Sequence, residues 1–259
     1  MKLRWSGQAS LFMAAAALAG CSALSPAPSP PEIGGSPWAA ESAGPGIAVP
    51  SHGPGWRHLT FPGKSPTKFR YLRKDGRDAI AVTAASSASM LSHKVRIEPA
   101  QLGSVRFSWK VPQLIAGADM ALRDADDSPV RVVLSFEGDR SRFSSRDALL
   151  SELARTLIGE EMPYATLMYV WCNRRAPGTL ITSARTDRIR KLVVESGSRN
   201  LNQWLDYERD IRADYERAFG EPPGALVGIG IMTDSDNTHS MAQAWYGPVR
   251  LDGSVPSIR

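Results

Sequence analysis

"SVRFSWKV", Ser104 to Val111, decides the fold class. Val105, Phe107, Trp109 and Val111 occupy alternate positions, and Arg106, Ser108 and Lys110 fall between them. Side chains of an extended strand point alternately to opposite faces, so this pattern predicts a strand with one buried and one polar face. "PVRVVLSF" (Pro129 to Phe136) repeats it, with Val130, Val132, Leu134 and Phe136 opposite Arg131, Val133 and Ser135.

Working outward, "KFRYLRKDGRDAIAVTA" places two apolar runs around Asp75-Gly76, a hairpin signal. "YATLMYVW", "DRIRKLVVE", "ALVGIGIMT" and "MAQAWYGPVRL" supply further strands. Many short strands separated by turn signals predict a mainly β protein, a β-sandwich or jelly-roll of antiparallel sheets. Two helices are expected to cover it. "SSRDALLSELARTLIG" carries Ser145 as N-cap, Asp147 in the first turn and Gly159 as a stop. "NQWLDYERDIRADYERAFG" sets Trp204, Ile211, Tyr215 and Phe219 on one helical stripe that Gly220 ends.

The first 20 residues are expected to lie outside this fold. Lys2 and Arg4 precede the apolar run Leu11–Ala19, which is shorter than the roughly 20 residues that span a bilayer. It suits an export signal. The run ends in "LAGC", which resembles the lipobox of bacterial lipoproteins and implies lipidation of Cys21 and insertion of the acyl groups in a bilayer. Ser22, rather than aspartate, follows it, implying sorting to the outer membrane. Between Ser22 and Gly55, 20 of 34 residues are Pro, Gly or Ser, too polar a composition to build a core, so residues 21–55 read as a tether in which Trp38 has no packing role. Residues 56–259 are expected to form one domain. With Cys21 acylated, Cys172 has no partner for a disulfide and reads as a small buried hydrophobe. The net charge of +5 is dispersed, with no basic block of the kind that marks nucleic-acid binding. The sequence leaves the oligomeric state open.

No nucleophile elbow, HExxH or P-loop is present, and His52, His58, His93 and His239 show no ligand spacing and read as tether or surface residues. The carboxylates raise the sharper question. Asp234, Asp236 and Asn237 stand within four residues, and Asp124, Asp126 and Asp127 form a second group. Three readings stay open. Asp234 and Asp236 could hold Ca²⁺, although no EF-hand glycine or glutamate follows. The segment could be a polar turn whose Asp and Asn side chains bond their own backbone. Asp127 and Asp234 could act as a catalytic carboxylate pair on an envelope polysaccharide. A second constellation comes from alternation: Arg106, Lys110 and Arg131 on polar faces, Tyr169 and Trp171 sharing a face of another strand. If the faces adjoin they make a cationic, aromatic-floored surface for a glycan or other envelope component. The alternative is that Arg131 pairs with Asp127 or Asp234 and Trp171 is core.

A linked set of motifs, "ADDSPVRVVLSF", "LMYVW", "VVESG", "ERDIRADYERAFGEPP", "GIGIMTDSDNT" and "AWYG", closely resembles the bacterial domain-of-unknown-function family number 3047, over about Trp56 to Leu251. The resemblance implies an exported β-rich protein and assigns no activity. The function expected is therefore a membrane-tethered, non-catalytic binding module, with a polysaccharide-active enzyme and a ligand-free scaffold as alternatives.

Overall fold

Val105, Phe107, Trp109 and Val111 all lie buried in the interior, as do Val130, Val132, Leu134 and Phe136. Alternation thus correctly assigned the inner faces of two strands that end up in different sheets. The computed structural model describes residues 32–42, 55–158 and 161–253. The signal segment, Cys21 and the stop at Gly159 lie outside the described residues.

The described strands are β1 (Arg57–Thr60), β2 (Lys68–Lys74), β3 (Arg77–Ala85), β4 (Ala88–Ile97), β5 (Ser104–Lys110), β6 (Ser128–Phe136), β7 (Ala165–Cys172), β8 (Leu180–Thr182), β9 (Ile189–Ser196), β10 (Trp204–Asp210), β11 (Leu226–Asp234), β12 (Met241–Tyr246) and β13 (Arg250–Asp252). They form a seven-stranded sheet, β1-β4-β11-β6-β7-β9-β8, and a six-stranded sheet, β10-β5-β12-β3-β2, in which β13 also pairs with β5. Every pair is antiparallel except β7 with β9. The fold is the expected mainly β sandwich. The β2–β3 hairpin turns on Asp75 (φ 52°) and Gly76 (φ 79°), with Lys74 opposite Arg77. Both turn residues take positive φ, the geometry that matches strand twist in a two-residue hairpin.

Among the described residues three α-helices accompany the sheets: α1 (Pro37–Glu41), α2 (Ser145–Ile158) and α3 (Ile211–Phe219). The cap of α2 falls one residue before the expected Ser145. Ser144 Oγ accepts from Asp147 N–H (3.1 Å) and donates to the Asp147 carboxylate (2.6 Å). The expected long second helix is corrected. "WLDYERD" is strand β10, paired with β5 so that Tyr207 faces Phe107, and only Ile211 onward is helical. Asp210 caps α3 by accepting from Ala213 N–H (2.9 Å), and Gly220 ends it in left-handed geometry (φ 69°). A helical stripe and a strand alternation both fit Trp204 to Asp210, and pairing with a distant strand decided between them.

Part of the expected tether packs on the sandwich. Trp38 of α1 is fully buried, 4.7 Å from the Trp56 ring, which in turn stacks on His93 at 5.5 Å. Ser42 Oγ accepts from Val249 N–H (3.1 Å), and Glu41 pairs with Arg250. One large aromatic supplies the apolar surface that the local composition lacks, so the tether reading fails for residues 32–42. His93, expected on the surface, is buried in this stack.

Candidate functional site

The two clusters expected from sequence separate cleanly. Arg106 and Lys110 lie on the outer face of the six-stranded sheet, where Arg106 pairs with Glu208 (3.1 Å) and Asp252 (3.3 Å) and Lys110 with Asp75 (2.7 Å). Tyr169 and Trp171 point the other way, into the sandwich, and both are fully buried. Tyr169 stacks on Phe107 (5.4 Å) and donates its hydroxyl to Asp214 (3.1 Å), which Arg209 also holds. Trp171 Nε1 donates to the Gly197 carbonyl (3.0 Å). Arg131 is on the opposite sheet from Arg106 and Lys110. The faces do not adjoin, and the expected cationic, aromatic-floored surface is not formed. Alternation put Tyr169 and Trp171 on one face of β7 but did not reveal that this face is the inner one.

The carboxylates, by contrast, do converge. On the outer face of the seven-stranded sheet Arg131 is buried between two of them. Its Nε and Nη2 donate to Asp234 Oδ1 and Oδ2, each at 2.9 Å, and Nη2 also reaches the Asp126 carboxylate (3.0 Å) and carbonyl (2.9 Å). Lys191, equally buried, donates to Asp126 (2.6 Å) and the Met120 carbonyl (2.9 Å). Asp127 accepts from Asn237 N–H (3.2 Å), Thr238 N–H (2.7 Å) and Thr238 Oγ1 (2.6 Å). Asn237 Nδ2 donates to the Arg123 carbonyl (2.8 Å). "DSDNT" is therefore a turn clamped to the loop that precedes β6, held by Asp127 and by Asn237 to Arg123 rather than by its Asp and Asn side chains on their own backbone as expected.

Electrostatics follow from burial. Burial pushes the Asp234 carboxyl up to about 6 against the pull of Arg131. Burial, with the nearby Arg131 charge, lowers the Lys191 ammonium to about 8 despite Asp126. Burial also works to raise Asp126, but Arg131 and Lys191 outweigh it and hold its carboxyl low.

This cluster is poorly suited to the two chemical roles proposed for it. One oxygen from each of Asp127, Asp234 and Asp236 comes within 4.8 Å of the others, a spacing open to a cation. Yet both Asp234 oxygens face Arg131, both Asp127 oxygens accept hydrogen bonds, and Asp236 pairs with Lys64. A guanidinium already supplies the positive charge that Ca²⁺ would bring, so the donor set does not fit a resident metal. A catalytic pair must touch substrate, and Asp127 and Asp234 are both buried.

A concave site of a different kind lies farther along the same outer face. A groove of about 1330 Å³ crosses β4, β11, β6 and β7. Its floor is Met90, Val133, Met168 and Met232, and Gly228 lines it without a side chain. A Cβ at Gly230 would lie 2.7 Å from Met90 Sδ, whereas one at Gly228 would meet nothing closer than 3.5 Å. Met90 lies over Gly230, whereas a Cβ at Gly228 would make only ordinary contacts, with Ser135 and the His93 carbonyl. Leu150, Leu153 and Ala154 of α2 form one wall and Phe61 the other. Sequence reasoning missed this site. The available signal was apolar Val133, Met168 and Met232 at positions where alternation calls for polar residues, a mark of a sheet covered on both faces.

The family is decided by motif content over the sandwich. The model of the family described as "Protein of unknown function (DUF3047)" matches residues 54–250. The chain belongs to the DUF3047 family. No curated protein matches the sequence. Among solved structures, the chain is similar to the xyloglucanase domain of NopAA, a type three effector from Sinorhizobium fredii, in complex with cellobiose. The identity is 9%, the TM-score 0.38, and the match covers 77% of this chain and 93% of that one. It is also similar to a mutant of ENZbleach xylanase, at 7% identity and a TM-score of 0.36, over 80% of this chain and 83% of that one. For this DUF3047 chain the chemistry has to come from its own residues.

Proposed function

We propose that this DUF3047 chain is a non-catalytic ligand-binding module of the bacterial envelope that holds an elongated ligand in the groove across β4, β11, β6 and β7. The groove carries the reading: ligand sites are concave and mostly apolar, and this one is open, mostly apolar and, at about 1330 Å³, larger than the roughly 300–1,000 Å³ of a drug-sized pocket. Residues 1–20 would direct export, Cys21 would carry the lipid, and the outer membrane would be its destination. "LAGC" followed by Ser22 supports these three steps. A glycan and a lipid are the two envelope ligands that such a groove admits.

The reading is tested by blocking the groove. Gly228→Leu adds a side chain to the groove at a position where a Cβ makes only ordinary contacts. A binding screen of oligosaccharides and lipids should give a ligand that Gly228→Leu and Leu153→Lys both weaken, with melting temperatures near wild type. A ligand indifferent to both variants would remove the groove from the function, and no ligand at all would favour a scaffold. The anchor is tested separately: Cys21→Ser should move the protein out of the membrane fraction.

A further inference from the structure

Granted that the groove is the ligand site, we infer that its occupant is the acyl chain of a lipid whose head group carries no net charge. Three observations lead there. The first is the floor. Three methionines, Met90, Met168 and Met232, line the groove together with Gly228, which has no side chain. Thioether side chains are flexible and polarizable, and they fit an apolar chain without imposing one shape. An acyl chain asks for that and for nothing else along its length.

The second observation is charge. The lining holds three bases, Lys94, Arg96 and Arg140, and three acids, Glu98, Glu137 and Glu161. Arg96 contacts Glu98 (2.8 Å) and Glu137 (2.9 Å), and Arg140 contacts Glu161 (3.2 Å). A rim with equal numbers of both signs complements a zwitterionic head group and gives an anionic ligand no surplus cation. A neutral glycan is served no better. Sugars dock on open aromatic faces, and the rings lining this groove are covered. Phe136 is fully buried, and Tyr164 lies between Phe143 (5.6 Å) and the Arg188 guanidinium (4.7 Å). Phe61 alone among the described lining rings is half-exposed.

The third observation is the wall. Leu153 of α2 lines the groove yet is 50% exposed, and Leu149, one turn earlier, is 70% exposed. α2 is fixed through its first turn, where Asp147 bonds Ser144 and Thr186, and by Arg140 to Ser151 (2.9 Å). Exposed leucines beside an apolar groove are the surface that an inserted chain would cover.

The probe is lysophosphatidylcholine, supplied as monomer to the full chain, in a decyl, dodecyl and tetradecyl series followed by calorimetry. Each buried methylene should raise affinity about fourfold. Gly228→Leu should lower it at least tenfold, and Leu153→Lys, at a half-exposed position, several-fold. Cello-oligosaccharides run in parallel. Affinity independent of chain length, or unmoved by Leu153→Lys, overturns the acyl-chain assignment. If an oligosaccharide binds and the groove variants abolish it, the lipid assignment fails while the groove stands. If neither probe binds the folded chain, both fall.

Discussion

Arg131 and Asp234 form a bidentate ion pair with both residues buried, each nitrogen–oxygen distance 2.9 Å, at the end of the face that carries the groove. Asp234 Oδ1 also accepts from Ser128 N–H (3.0 Å), so the pair ties β11 to the start of β6. Removing Arg131 leaves the Asp234 carboxylate buried without its cation, and removing Asp234 leaves the buried Arg131 guanidinium with Asp126 as its remaining carboxylate partner. Such changes cost about 3–5 kcal/mol, whereas exposed pairs are worth under about 1 kcal/mol. Arg131→Ala and Asp234→Ala should each destabilise by that larger amount in urea titrations. The double variant should cost much less than the sum, because one event, stranding a charge, accounts for both losses. Additive, sub-kcal effects would mean the pair is a solvated contact.

This pair was partly legible in the sequence. Arg131 falls on the outer face of β6 by alternation, and Asp234 ends the apolar run of β11, so a pairing could be anticipated once the two strands were neighbours. The ligand-surface reading of Tyr169 and Trp171 fails for the complementary reason, and the alternative that placed Trp171 in the core holds. Alternation puts them on one face, but only the packing of the second sheet makes that face the interior. β10 was lost because seven residues of "WLDYERD" carry no local preference strong enough to outweigh a helical stripe. The groove was least legible: Met90, Val133, Met168 and Met232 come from four strands far apart in the chain, and no local pattern joins them.

Trp38 gives the second prediction. Its burial against Trp56 makes residues 32–42 part of the folded unit. Trp38→Ala should cost about 3–5 kcal/mol, the usual loss for a large buried aromatic. A chain beginning at Trp56 should melt well below one beginning at Glu32 in thermal scans by circular dichroism. Equal melting temperatures would show that the strap contributes nothing.

Calcium gives the third. A resident ion would add stability by mass action, and a chelator would remove it. Because Arg131, Thr238 and Lys64 already occupy the oxygens of Asp234, Asp127 and Asp236, the melting temperature should be the same in EDTA and in millimolar Ca²⁺. A rise of several degrees with Ca²⁺ would restore the metal reading.

Lys191 gives the last. Its folded pKa is about 8 and its ordinary value 10.5. Between these two values the unfolded chain binds the proton that the folded chain has released, so stability rises with pH there. Below about 8 both states are charged and the full cost of burying the ammonium is present. Above 10.5 both are neutral and the cost is gone. A depressed lysine thus acts in the same sense as a depressed carboxylate: stability rises with pH through the window in both, as relief of a burial cost for the lysine and as a gained interaction for the carboxylate. The wild-type chain should therefore gain stability relative to Lys191→Met as pH rises from 8 to 10.5, by roughly 3 kcal/mol at most. Comparing the two proteins cancels the tyrosines that titrate at higher pH. Urea midpoints measured at intervals across that window give the answer directly: parallel curves for the two proteins would mean that Lys191 keeps an ordinary pKa and that Asp126 fully offsets its burial.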